Sequence, residues 1–150
     1  MKKIFLALFL LPIICFAQDH VSEFWKIDKW LTDEVINAQT QELYLIDPLT
    51  NPEEMSQNSG NTLTFRTNGT FVSEHFAYIA VDCYPSSKGR FKKIDDNHIH
   101  LRISLYKQMS PLKGCEKIRD VTKRDLGIFK IEPTKEGYRL IKSPLSSSNP

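Results

Sequence analysis

The chain has 150 residues, of which 41% are hydrophobic, so it is long enough for one domain with a buried core. Its formal net charge is +2, and Lys2 and Lys3 supply that excess from a segment that we expect to be removed. The remaining chain is nearly neutral, which excludes the strongly basic composition typical of nucleic-acid-binding domains.

The N-terminal segment has the three parts of a secretory signal peptide. Met1-Lys2-Lys3 is basic, residues 4–14 are almost entirely apolar, and Cys15-Phe16-Ala17 resembles a cleavage site. A transmembrane anchor would need a longer apolar run, and lipid attachment at the cysteine is disfavoured by the bulky residue before it. We therefore predict that residues 1–17 are a signal peptide, that the mature chain begins at Gln18, and that the protein is periplasmic or secreted.

Charge is distributed unevenly along the mature chain. Residues 18–85 carry three basic and eleven acidic side chains, whereas residues 86–150 carry fifteen basic and seven acidic ones. The two halves are therefore either opposite walls of one domain that attract each other, or the second half presents a basic face to an anionic partner.

The mature chain contains two cysteines, Cys83 and Cys115. In an oxidising compartment an isolated pair usually forms a disulfide. A bridge closing this 33-residue ring would stabilise the fold by about 3–4 kcal/mol in the chain-entropy model. A zinc site is the alternative, but no Cys-x-x-Cys or spaced Cys/His cluster supports it. We predict the disulfide and no cofactor.

The first predicted strands follow the leader. Apolar residues over 25–32 predict a strand, with room for one short helix before it. Residues 42–47 predict a second strand, which Pro48 ends. Residues 47–61 are polar and contain two prolines and a glycine, which is typical of a surface loop.

A hairpin is predicted over residues 61–74, around Asn68-Gly69. A two-residue loop would place Phe65 opposite Val72. A three-residue loop with a bulge at Gly69 would place Phe65 opposite Phe71. We favour the second register because it gathers two rings on one face.

The sequence of the second half of the chain predicts further short strands and turns. Residues 75–84 are apolar on both faces, and residues 85–89 are predicted to turn the chain. Two more hairpins are predicted, over residues 90–106 and 126–142. Residues 107–125 have no clear period and predict either a helical turn or an ordered loop. The tail, residues 143–150, is rich in Ser and Pro and is predicted to be disordered.

One strand of the hairpin over 90–106 has a clear alternation. Four apolar residues share one face: Ile99, Leu101, Ile103 and Leu105. Five other residues share the opposite face: His98, His100, Arg102, Ser104 and Tyr106. Short strands joined in sequence by turns predict an all-β, mainly antiparallel fold, either a small up-and-down β-barrel or a meander, over residues 18–142.

Three short patterns resemble those of small secreted lipocalin-like domains of Gram-negative bacteria. They are Trp25-Lys26-Ile27, Asn68-Gly69-Thr70-Phe71 preceded by Phe65, and Gly89-Arg90-Phe91. The likeness covers most of residues 22–142, although the glycine that often precedes the first tryptophan is absent. The resemblance implies an up-and-down barrel with one open end, and it implies no catalytic residues.

Residues suited to chemistry are few. His98 and His100 lie on one face of a strand and could hold copper or zinc, but an ordinary solvated face explains them better. Asp95-Asp96 is an acid pair of the kind found in tight turns. No phosphate loop, nucleophile elbow or zinc-protease motif is present. We therefore predict that the protein is not an enzyme.

Two functions from different classes remain. The first is a binding protein that holds a small apolar ligand in the barrel, lined by aromatic residues: Phe65, Phe71, Tyr78, Phe91 and Phe129. The second is an inhibitor or immunity protein that acts through a disulfide-pinned basic loop, residues 113–124, in which Lys117, Arg119 and Lys123 would contact a protein partner. We expect a monomer that meets the membrane only during export.

Overall fold

The computed structural model describes residues 23–50, 59–77, 83–109 and 117–144. These ranges contain nine strands: β1 (Lys29–Thr32), β2 (Glu42–Ile46), β3 (Ser59–Phe65), β4 (Thr70–Ala77), β5 (Tyr84–Asp95), β6 (His98–Met109), β7 (Ile118–Asp120), β8 (Arg124–Pro133) and β9 (Gly137–Lys142). Within them, no helix has both the length and the apolar character that crossing a bilayer requires. The predicted signal peptide and most of the predicted tail lie outside the described residues.

Eight of the described strands form a closed antiparallel barrel. Their order is β5-β4-β3-β1-β2-β9-β8-β6, and pairing of β6 with β5 closes the ring. β7 pairs with β6 beyond the end of β8, so β7 and β8 lie along the same edge of β6 as one interrupted strand. The prediction of an all-β antiparallel barrel is confirmed.

The strand order departs from sequence order at one place. β3, β4, β5, β6, β8 and β9 follow one another around the barrel. β1, however, lies between β2 and β3, and it pairs with both: Leu31 with Ile46 and Thr62. The connection between β2 and β3 therefore passes β1, and it includes residues 51–58, which lie outside the described residues.

The β3–β4 hairpin has the register that its sequence favours, with two phenylalanine rings on one face. Phe65 lies opposite Phe71, and Gly69 in the turn has a φ of 76°. A left-handed backbone of this kind is accessible to glycine without a steric penalty. Both phenylalanines are buried, at 8% and 0% exposure. The prediction that this turn gathers two rings on the inner face is confirmed.

Several predicted boundaries are wrong. The loop predicted over residues 47–61 ends earlier, because β3 begins at Ser59, and residues 75–84 contain the end of β4 and the first residue of β5. The strand predicted over residues 25–32 begins only at Lys29, because the preceding residues form a helical turn. The turn predicted over residues 85–89 belongs to β5, where Pro85 pairs with β6 but lies one residue beyond the last β4 partner. Proline lacks a backbone N–H, but because no β4 residue lies opposite Pro85, no hydrogen bond to β4 is lost. Residues 107–125 contain the end of β6 and all of β7.

The barrel end next to the β3–β4 turn, which we call the closed end, is filled with aromatic rings. Phe24, from the helical turn before β1, is 1% exposed and stacks on Trp30 with ring centroids 5.4 Å apart. Its ring also meets Tyr138 edge to face at 5.4 Å. Trp25 Nε1 donates to the carbonyl oxygen of Asp96 at 3.0 Å, which ties the turn to the β5–β6 connection. The N-terminal segment thus plugs this end.

Candidate functional site

The opposite end of the barrel, which we call the mouth, contains a cavity of about 480 Å³. One wall is the connection between β1 and β2, and the other is formed by β6, β7 and the start of β8. The residues that line this mouth cavity are Asn37, Ala38, Gln39, Ile103, Tyr106, Ile118, Asp120, Thr122 and Arg124. Small-molecule sites usually have volumes of roughly 300–1,000 Å³, so the cavity has the size of such a site.

The β1–β2 connection is held in place by one buried side chain and several hydrogen bonds. Ile36 is completely buried, and its backbone N–H donates to Ser73 Oγ at 3.0 Å. The Asn37 N–H donates to Thr40 Oγ1 at 3.0 Å, and the same hydroxyl donates to Glu34 Oε1 at 2.8 Å. These contacts therefore hold in place the backbone that carries Asn37, Ala38 and Gln39 in the cavity wall.

A β-bulge in β6 brings Ile103 and Tyr106 to the same side. Ile103 pairs with Gly89 and Leu105 pairs with Lys88, so Ser104 is the extra residue. Side chains of a strand alternate between faces, and one extra residue inverts the alternation beyond it. Tyr106 consequently faces inward and Leu105 outward. The prediction that Leu105 shares the face of Ile103, and Tyr106 that of His98, is wrong for this reason.

Two charged side chains from the interrupted strand complete the cavity. Asp120 lies opposite Tyr106 and Arg124 lies opposite Ile103, and Arg124 Nη2 contacts Asp120 Oδ2 at 2.9 Å. The pKa of Asp120 is lowered to about 2, first because the backbone N–H and hydroxyl of Thr122 donate to it and then because of Arg124. The cavity therefore holds a partly exposed ion pair in which the Asp120 carboxyl is ionised at neutral pH.

The inner wall becomes polar towards the mouth. Ser73 and Ser87 are completely buried, and His75 Nδ1 lies 2.9 Å from Asn61 Oδ1. Ser87 pairs directly with Tyr106, and within the described ranges its hydroxyl has no hydrogen-bond partner. Buried hydroxyls in proteins are normally hydrogen-bonded. Ser87 does not line the mouth cavity, so this hydroxyl belongs to the inner wall behind it.

The predicted ligand-binding aromatics lie towards the closed end, away from the mouth cavity. Phe71 and Phe129 have no exposed surface, Phe65 is 8% exposed, and all three belong to the core cluster. Phe91 is half-buried and packs on Phe65 with ring centroids 4.9 Å apart. Tyr78 lies outside the described residues. The prediction that these five residues bind an apolar ligand stays a prediction.

The predicted basic loop is only partly described. Arg119 lies in β7, Lys117 directly before it and Lys123 in the break before β8, and all three are exposed. Cys83 directly precedes β5, but Cys115 and residues 110–116 lie outside the described residues. The disulfide and the role of this loop in partner binding stay predictions.

The two strand histidines each have a separate carboxylate partner. His98 Nδ1 lies 2.9 Å from Asp95, and His100 Nε2 lies 2.6 Å from Asp125. Asp95 also accepts the backbone N–H of Asn97, as expected of a turn residue. In the described part of the chain, no three His, Cys, Asp or Glu side chains converge as a metal site.

Sequence reasoning missed the mouth cavity because its residues are scattered. Ala38 and its neighbours carry no motif, and the bulge that turns Tyr106 inward has no clear sequence signal. The pattern Asp120-x-Thr122 is a local side-chain-to-backbone turn that could have indicated order between β7 and β8. No family model, curated protein or solved structure matches this chain.

Proposed function

We propose that the protein is a binding protein that holds one small amphipathic molecule in the mouth cavity. The observation that carries this proposal is the cavity itself, about 480 Å³ of space lined by both apolar and polar side chains. Eight-stranded barrels have interiors of a size that side chains fill or that one small ligand occupies. Here aromatic residues fill the closed end, and the space lies at the mouth.

The lining indicates the chemistry of the ligand. Ile103 and Ile118 offer apolar surface on one wall, while the amide side chain of Gln39 offers donors and an acceptor on the other. The Asn37 amide is already hydrogen-bonded within its own connection, to the Val35 carbonyl and the Gln39 N–H. Because Arg124 is already paired with an acid, its remaining N–H groups are suited to a neutral or weakly charged acceptor. A molecule with an apolar body and one polar end satisfies both walls. This lining favours an amphipathic ligand over the purely apolar one expected from the aromatic residues.

Filling the cavity should abolish binding. We expect Ala38→Trp to remove most of the binding of anilinonaphthalene sulfonate, an amphipathic probe whose fluorescence rises in apolar sites, because the indole would occupy the ligand volume. The matched control is Leu49→Trp, which adds an indole at a side chain that is 86% exposed and outside the cavity. The measurement is a fluorescence titration of both variants and the wild-type protein at neutral pH.

The control variant should bind the probe with the wild-type affinity. Circular dichroism before the titration establishes that both variants are folded. Equal probe affinity in folded Ala38→Trp and wild-type protein would show that the probe does not enter the cavity, and this result would contradict the proposal.

We also propose that the protein is exported and related to the lipocalin-like domains. The signal-peptide pattern of residues 1–17 supports export, and the closed eight-stranded barrel supports the relationship, although β1 between β2 and β3 differs from a simple up-and-down order. Export predicts a mature chain that begins at Gln18. Intact-mass analysis of the exported protein checks this, and a lipid-modified chain beginning at Cys15 would contradict it.

The alternative function is a protein-binding inhibitor or immunity protein. The exposed positions of Lys117, Arg119 and Lys123 beside the mouth are the observation that favours it. Charge reversal at these three residues should then weaken capture of the target in a pull-down from the native host. Recovery of the same proteins by wild-type and reversed chains would count against this function.

A further inference from the structure

The outer wall of the barrel carries a row of cations over β5, β6 and β7, which we call the basic strip. Its six members are Lys88, Arg90, Lys92, Arg102, Lys107 and Arg119. Their cross-strand neighbours fix their direction: Gly89 and Ile103 pair on the inner face, so the pair beside them, Arg90 and Arg102, faces outward. The strip is therefore separate from the mouth cavity and independent of the proposed ligand.

The pairing places like charges directly opposite each other twice. Arg90 lies opposite Arg102, and Lys107 lies opposite Arg119. Like charges at directly opposed positions destabilise an antiparallel pair. A barrel that needed only a solvated polar wall would be more stable with acids at one position of each pair.

Few acidic side chains of the protein neutralise the cations of the strip. Asp125 contacts Arg102 at 3.1 Å and also His100 at 2.6 Å. Among the described residues, the other five cations of the strip form no ion pair. Between the cations, the outward side chains include the hydroxyls of Ser86 and Ser104. The strip thus has a large unmatched positive charge with hydroxyl groups beside it.

Along β5 the charges of the strip are regularly spaced. Lys88, Arg90 and Lys92 lie on one face of β5 at every second residue, which is an interval of about 6.6 Å. From Lys92 to Ser86, the β5 partner of Lys107, the strip extends over about 20 Å. A flat membrane surface would instead require exposed apolar side chains among the cations. The apolar neighbours of Lys88 on the paired strands are the half-buried Leu105 and the buried Val72, and the exposed Ile94 and Met109 lie beyond the two ends of the strip.

We propose that the basic strip binds a linear acidic polysaccharide. Such a polymer carries a carboxylate or sulfate on each repeat, so its anions follow one another along an extended chain as the cations do along β5. The serine hydroxyls can exchange hydrogen bonds with sugar hydroxyls. Bound anions would also neutralise the two opposed pairs, so the repulsion present in the free protein favours the complex.

The test uses a labelled heparin hexasaccharide as the probe and fluorescence anisotropy as the measurement. Replacing Lys88, Arg90, Lys107 and Arg119 together by Gln should lower the affinity at least about tenfold, and the wild-type affinity should fall as salt rises. The matched control replaces Lys29, Arg66, Lys135 and Lys142 by Gln, which removes the same charge from exposed positions elsewhere. Its affinity should stay within about twofold of wild type.

A single variant separates binding from folding. Arg90→Gln relieves the repulsion with Arg102, so its melting temperature should equal or exceed that of the wild type while its affinity for the probe falls. Equal loss of affinity in the strip and control variants would show that net charge alone attracts the probe, and it would overturn the proposal. Absence of wild-type binding, or binding to phosphatidylglycerol vesicles without binding to the hexasaccharide, would overturn it as well.

Discussion

Replacing Phe24 by Ala should lower the free energy of unfolding by about 3–5 kcal/mol, the range for truncating a buried aromatic side chain. Phe24 lies outside every strand, yet its ring is among the most buried in the described structure. It meets Trp30, Phe65 and Tyr138, with centroid distances between 5.4 and 5.9 Å. Truncation would leave a cavity at the closed end that these large rings cannot fill without moving off their rotamers.

Urea unfolding followed by circular dichroism measures this effect. Leu49→Ala is the matched control, because Leu49 is 86% exposed and should change stability by less than about 0.5 kcal/mol. If Phe24→Ala also changed stability by less than 1 kcal/mol, the N-terminal turn would not be part of the cooperative core. The conclusion that the N-terminal segment plugs the closed end would then be wrong.

Gly89→Ala should lower the free energy of unfolding by a similar amount, about 3 kcal/mol or more, because the added methyl group overpacks the site. A Cβ at this position would lie 2.1 Å from the carbonyl oxygen of Arg102 and 2.6 Å from the Phe71 ring. The first neighbour is backbone in the paired strand, so β5 and β6 would have to separate. Because Gly89 adjoins the bulge in β6, the same movement would displace Tyr106 from the mouth cavity.

The comparison for Gly89 is Gly60→Ala. A Cβ on Gly60 would lie 3.1 Å from the tip of the Phe76 ring, a side chain that can adjust, so a loss below about 1 kcal/mol is expected. Thermal unfolding of both variants checks the difference. Equal stability of the Gly89 and Gly60 variants would show that β5 and β6 are not packed as closely as the structure has them.

Local sequence signals identified the hairpins because the relevant physics is local. Asn68-Gly69 can adopt the turn at little cost, and the choice between registers followed from which rings could share a face, so the pairing of Phe65 with Phe71 was predictable. Short alternating strands separated by turns likewise predict an antiparallel all-β fold, and like the hairpins they depend on residues fewer than about fifteen positions apart. Closure into a barrel is not local, because it requires β2 to pair with β9, with Glu42 opposite Ile141.

The mouth could not be predicted in the same way. Tyr106 faces inward only because Ser104 bulges, and the bulge depends on pairing with β5 across the barrel. The sequence neighbours of Pro85 are typical turn residues and predict a turn there, whereas its strand conformation is tolerated because β4 ends before reaching it. Likewise, Phe24 plugs the barrel through contacts with strands far along the chain. Each outcome is decided by tertiary pairing that a local pattern does not contain.

The most direct test of the mouth as a binding site is amide NMR of the isotope-labelled mature protein during titration with anilinonaphthalene sulfonate. We predict the largest shift changes at Ala38, Tyr106, Ile118 and Asp120, because these residues come from both walls of the same cavity. Residues at the closed end, such as Trp30 and Tyr138, should be nearly unaffected. Shift changes concentrated at the closed end, with the mouth residues unchanged, would contradict the proposed function.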